Sequence, residues 1–177
     1  MYKGTGASPG IALGKALVIE HSELVIEKKT IENIDKEIQK LESAVKVSKE
    51  ELTKVKEKAL AELGEHEAEI FEAHLLVLED PELIGSAISK IRDEKVNADY
   101  ALNEIKEMFV AMFESMDNEY MRERAADIKD VTNRVLRHIL GIKVVDLAGL
   151  DEEVVLIAHD LTPSDTAKWT RIWCLGS

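Results

Sequence analysis

Residues 31–59 read IENIDKEIQKLESAVKVSKEELTKVKEKA, and the spacing of their apolar residues decides the fold. Ile31, Ile38, Val45, Leu52 and Ala59 recur every seven residues, and Ile34, Leu41 and Val55 fill most of the intervening positions of the repeat. Lys and Glu occupy nearly everything else. A seven-residue apolar repeat lays one narrow stripe along an α-helix, with charge on the remaining faces. So long a helix needs cover for its stripe, and a helical hairpin within the same chain supplies it most simply. A stripe of this type also permits copies of the chain to associate as a structural coiled coil. Glu37 lies off the stripe and is expected to tolerate substitution.

Downstream, Gly64 interrupts the repeat and marks a corner. A second apolar helix is expected from about Glu67 to Leu78. Asp80-Pro81 restarts the chain as a helix over about 81–94, because Asp caps the free N–H groups and Pro loses nothing at the first helical position. Asn97 can cap a further helix reaching about Ser115 through Leu102, Ile105, Met108, Phe109 and Met112. Asp117 precedes a last helix whose buried stripe carries Tyr120, Ala125, Ile128, Val131, Val135, Leu136 and Ile139, and Gly141 ends it in the left-handed conformation. Upstream, Tyr2 to Glu20 is apolar but broken by glycines, which suits short strands with tight turns. Leu24-Val25-Ile26 reads as a short extended piece. Glu153 to Ala158 is a continuous apolar run of the kind found in a strand buried on both faces. Thr162-Pro163-Ser164-Asp165 reads as a capped helix start. The order β, helices, β describes a mainly α chain: a helical domain over 21–144 inserted into a partial α/β subdomain built from 1–20 and 145–167.

The 177 residues, 45% hydrophobic and 33% charged, suit a globular protein. Aromatic residues make up only 5%, so the core must be aliphatic. No run approaches the roughly 20 apolar residues of a membrane span. No secretory leader is apparent, which points to the cytoplasm. The single Cys174 excludes a disulfide framework and a multi-cysteine zinc site. A net charge of −12 disfavours nucleic acid and anionic membranes as partners. It either aids solubility or steers a basic-faced protein partner.

The five histidines are His21, His66, His74, His138 and His159. A phosphoacceptor histidine needs an exposed ring nitrogen and donors for the phosphoryl oxygens, and none of these sits in a Gly-rich or basic setting. His74, within FEAHLLVLEDPEL, reads as a partly buried, hydrogen-bonded helix residue. His66 and His74 are two turns apart, too far for a simple metal pair, and no third ligand is apparent. The glycines of 1–14 lack the spacing of a dinucleotide or P-loop fingerprint.

Three stretches carry a family resemblance: MYKGTGASPGIALG (1–14), RERAAD (122–127) and DLTPSDTA (160–167). In register over nearly the whole chain, they resemble enzyme I of the bacterial sugar phosphotransferase system, the phosphoenolpyruvate–protein phosphotransferases. The helical insert favours enzyme I over pyruvate phosphate dikinase and phosphoenolpyruvate synthase, which share the phosphohistidine subdomain. The resemblance implies a parent reaction that moves a phosphoryl group from phosphoenolpyruvate to an enzyme histidine and then to the phosphocarrier HPr. It also implies that phosphoenolpyruvate and magnesium bind in a C-terminal domain, which supplies the dimer contact. The acceptor histidine of the family follows shortly after the DLTPSDTA element, in a GGRTSH-like segment that this chain does not contain. The chain is therefore expected to dock HPr as a monomer, with no cofactor of its own and without carrying the phosphoryl group. Thr166 matches the threonine that hydrogen-bonds the acceptor histidine.

By the same resemblance the helical insert is the HPr platform. Glu65 and Glu82 match acids that meet basic side chains of the partner, and His74 matches an interface histidine. Leu76, Val77 and Leu83 match apolar contacts, expected to be exposed, and Arg124 a polar contact. His66 and Pro81 stand where relatives can carry acids, and Glu67 can compensate for the first. Residues 168–177 depart from the family: both tryptophans and the cysteine fall there. Reading those codons one base earlier allows Met-Asp-Lys-Asn-Met-Val-Leu-Gly-Phe, which restores the VLGF-like strand of the family, so a frameshift near Lys168 is the expectation. The rival is a deliberate truncation with a vector-derived tail.

Overall fold

The computed structural model describes residues 11, 13–19, 24–62, 64–142 and 154–158. Along the chain these form β1 (Lys15–Ile19), α1 (Ile34–Glu62), α2 (Glu65–Glu79), α3 (Pro81–Glu94), α4 (Ala98–Glu114), α5 (Glu119–Leu140) and β2 (Val154–Ala158). Two compact units result: Met1–Ser22 with Val145–Ser177, and Glu23–Val144. The mainly helical architecture with a small sheet is the one expected from the sequence.

α1 runs 29 residues, about 43 Å at 1.5 Å per residue. Its stripe is buried from Ile38 through Leu41, Val45, Leu52 and Val55 to Ala59, against α2 and α5. The seam is thus filled from within the chain. Ser48 takes the repeat position between Leu41 and Val55, and its hydroxyl is buried without a hydrogen-bond partner. Beside the seam, Arg134 Nη1 donates to Glu51 Oε2 at 2.9 Å, and His138 Nε2 lies 3.1 Å from the same oxygen. Burial pushes the Glu51 carboxyl up, but the hydrogen bonds and charges of His138 and Arg134 together outweigh it and hold the carboxyl below its ordinary value.

Local chemistry sets most helix ends. Gly64, at φ 115°, turns the corner from α1 into α2. Asp80 Oδ1 accepts from the Glu82 N–H at 2.8 Å, with Pro81 opening α3. Asn118, the residue after Asp117, caps α5 by accepting from the Tyr120 N–H at 3.0 Å. Gly141, at φ 68°, closes α5 in the left-handed conformation.

The start of α4 differs from expectation. The Asn97 side chain does not cap it. Its Oδ1 accepts from the Lys29 N–H at 2.8 Å, and its Nδ2 donates to the Glu27 carbonyl at 2.9 Å and to Asp99 Oδ1 at 2.8 Å. Glu37 takes over the capping role, its Oε2 accepting from the Ala98 N–H at 2.9 Å. Glu37 is therefore not the inert position its place off the stripe suggests. Leu24-Val25-Ile26 forms no strand; the extended contact lies just after it, where Thr30 bridges Val96 and the Ile31 N–H donates to the Lys95 carbonyl at 2.9 Å.

β1 and β2 pair in parallel, Lys15 with Val154 through Ile19 with Ala158. Ile157 is half exposed, so β2 is not covered on both faces as its apolar run suggests. A two-stranded ribbon has only its own neighbour to shield it. The strands expected within 2–14, the helix start at Thr162, Thr166 and the 168–177 tail lie outside the described residues. No described helix is long and apolar enough to cross a membrane.

Candidate partner-docking groove on the helical unit

Four helices frame an apolar groove of about 210 Å³. α2 contributes Val77, and the junction to α3 contributes Asp80 and Leu83. Phe109 and Phe113 come from α4; Tyr120, Met121, Arg124 and Ile128 come from α5. Phe109 with Phe113 and Tyr120 with Arg124 are four-residue pairs, so each falls on one helix face. Beneath the groove, Val110, Ala125 and Ile128 form a buried cluster on which Val77, Phe109 and Phe113 are half buried. The floor is thus fixed by packing, while the aromatic walls stay partly open.

Polar groups sit on the wall and rim. Arg124 Nε and Nη2 donate to Tyr120 Oη at 3.2 and 2.6 Å. Arg124 Nη1 lies 3.8 Å from Asp127 Oδ2. Asp80 and Glu82, both exposed, supply negative charge at the α2–α3 end. The arrangement is an apolar centre with a charged rim, the anatomy of a protein-binding surface. It contains no nucleophile paired with a base. Among the described residues no group of three or more His, Cys, Asp or Glu could hold a metal ion.

Of the residues singled out from sequence, Val77, Leu83 and Arg124 line this groove. Leu76 stands beside it and is 59% exposed. Glu82 is exposed at its end. Glu65 and His66 are exposed at the far end of α2, about 18 Å from Val77 along the helix axis. His66 Nδ1 lies 3.7 Å from Glu69 Oε2.

Two expectations need correction. Leu83 is 2% exposed, not an open contact, because the first turn of α3 packs it under α2 and α4 as groove floor. His74 is 1% exposed, on the inner side of α2, so its ring is covered by the protein rather than open at the surface. Its Nε2 lies 3.2 Å from Asp127 Oδ1 and its Nδ1 3.7 Å from Asp130 Oδ2, with the Phe71 ring edge-on at 5.9 Å. On α4, Met108 and Met112 are exposed, and on α5 Tyr120 is 55% exposed where a buried stripe was expected. α3 covers only part of α4, and the first turn of α5 opens onto the groove. Sequence reasoning missed Asp80, Phe113 and Met121 as lining residues; the i,i+4 aromatic pair on α4 was the available signal.

The family model for the N-terminal part of PEP-utilising enzymes matches residues 3–124, so the chain belongs to that family. It is 55% identical over 174 residues to a phosphoenolpyruvate-protein phosphotransferase of Priestia megaterium and 53% identical to that of Bacillus subtilis (strain 168). Within the family it groups with enzyme I, in its N-terminal part. Each comparison covers 98% of this chain and 30% of the relative, so the chain spans less than a third of the length of these curated relatives. An NMR solution structure of an enzyme I protein superposes with a TM-score of 0.83 at 49% identity, covering 95% of this chain and 68% of that one. The N-terminal domain of enzyme 1–nitrogen shares the fold at 21% identity, with a TM-score of 0.70 over 94% of this chain and 68% of that one.

Proposed function

We propose that the helical unit docks the phosphocarrier HPr and that the groove between α2 and α5 receives it. The observation that carries this reading is the open apolar groove walled by Phe109, Phe113, Tyr120 and Met121 and edged by the carboxylates of Asp80 and Glu82. The relatives catalyse, by name, phosphoryl transfer from phosphoenolpyruvate to a protein, and a transfer of that kind requires a platform for its protein acceptor. In this reading Leu76 and Val77 meet the apolar part of HPr, Arg124 offers a donor, and Glu82 meets basic side chains. Glu65 and His66 act at the far end of α2 as an outer contact. The parent enzyme uses magnesium, dimerises through another domain and works in the cytoplasm; this chain docks as a monomer.

Self-association through the heptad stripe finds no support, because α2 and α5 already fill that stripe. The net charge of −12 favours a basic-faced partner and a fast encounter. The test is a titration of isotope-labelled chain with HPr, followed by amide chemical shifts. Shift changes should gather on 76–83, 109–113 and 120–124. Raising salt from about 0.1 M to about 1 M, which shortens the Debye length from about 10 to about 3 Å, should weaken binding. Salt-independent affinity, or shifts gathered elsewhere, would reject the reading.

A further inference from the structure

A buried histidine stands one helical turn from a groove-lining residue of its own helix. His74 and Val77 are three apart on α2, so they share a flank of it. His74 faces α5. A carboxylate only accepts hydrogen bonds, so the nitrogen 3.2 Å from Asp127 Oδ1, Nε2, carries the proton and donates. The other oxygen of Asp127 faces Arg124 Nη1 at 3.8 Å. The remaining two nitrogens of that guanidinium are hydrogen-bonded to Tyr120 Oη. Tyr120, Arg124 and Asp127 therefore follow one another along a single face of α5, and His74 reaches across from α2 to the end of the row. Burial fixes His74, with Phe71 edge-on against its ring. Its Nδ1 has no hydrogen-bond partner, and Asp130 Oδ2, at 3.7 Å, is the other carboxylate facing the ring.

We infer that His74 is a positioning residue of the groove: through Asp127 it holds the Arg124 guanidinium against Tyr120, so that the polar wall is set before a partner arrives. The inference rests on reading the groove as the HPr site, and it replaces direct contact by His74 with action through two side chains. An arginine left to sample its rotamers would have to be ordered during binding. Holding one rotamer-rich side chain beforehand changes affinity by about two- to tenfold.

Three variants of the full chain test this, each first checked for native helix content. His74→Leu removes the donor, Asp127→Asn removes the charge facing Arg124, and His74→Gln keeps an amide donor. In the free protein, the side-chain Nε–H of Arg124 should give a slowly exchanging resonance, read by NMR without any partner. His74→Leu and Asp127→Asn should speed its exchange and weaken HPr binding about two- to tenfold, whereas His74→Gln should restore both. A purely structural histidine would lower melting temperature without moving the Arg124 resonance. An unchanged resonance in folded Asp127→Asn overturns the inference, as does unchanged HPr affinity where the resonance has moved. Failure of the unmodified chain to bind HPr would sink the docking reading, and the Arg124 resonance would still decide the relay itself.

Discussion

Replacing Leu83 with Ala should destabilise the helical unit, and the size of the loss follows from its place under the groove. The side chain is 2% exposed, so truncation removes three carbons from a packed site, worth about 0.8 kcal/mol each, or about 2.4 kcal/mol. A sealed void would add a cavity term and carry the loss towards 5 kcal/mol. Here the void opens into the existing groove, which water can enter, so the loss stays near the lower end of the range, about 2–3 kcal/mol. For a unit of about 120 residues, an unfolding entropy of about 2.1 cal/mol/K per residue converts this to a fall of about 10 °C in melting temperature. Thermal unfolding followed by circular dichroism at the helix band measures it, with exposed Lys54→Ala as the control that should move little. A fall below about 2 °C for Leu83→Ala, with HPr affinity lost, would refute the floor assignment and restore Leu83 as an open contact.

Glu37→Ala should cost about 1 kcal/mol by leaving the Ala98 N–H uncapped, and Glu37→Gln should recover part of it, both read from urea midpoints. Ser48→Ala should instead stabilise by about 1 kcal/mol, since it removes a buried hydroxyl without a partner; destabilisation would reveal a hydrogen bond not yet seen. Glu51 is held below its ordinary value of 4.5, so its contribution to stability is full above that value and is lost as pH falls through the lower folded one. Glu51→Gln should therefore flatten the acid side of the stability–pH curve, and an equally steep fall in the variant would exclude Glu51 as a source. The chain incubated with phosphoenolpyruvate, magnesium and HPr should take up no phosphate on His66, His74 or His138. His74 is buried, His66 stands by Glu69 and His138 by Glu51, so mass spectrometry finding phosphate on any of them would overturn that reasoning.

The helices were legible because their signals are local. A seven-residue repeat, Asp80 before Pro81 and Gly141 after the last apolar turn each act within a few residues of themselves. What escaped was decided by partners far away in sequence. Asn97 has the right chemistry for a cap, yet the backbone at 27–29 claims its amide and Glu37, sixty positions upstream, caps in its place. The candidate site divides the same way. Val77 and Arg124 came from the family resemblance, but burial of Leu83 and His74 depends on which face of α2 and α3 meets α4 and α5. Apolar spacing cannot distinguish the floor of a groove from its rim when both are apolar.

The pairing of β1 with β2 has a consequence for the order of folding. Lys15 meets Val154 across 139 positions, so joining the strands in an otherwise unfolded chain would cost about 4 kcal/mol in closure entropy, against about 2 kcal/mol for a loop of ten. Two short parallel strands return little against that. Collapse of α1 to α5, driven by contacts between helices that are mostly neighbours in sequence, shortens the effective loop before the strands need to meet. The ribbon should therefore be the last part to assemble and the first to open, its amides exchanging with solvent well before those of Leu52 or Val131.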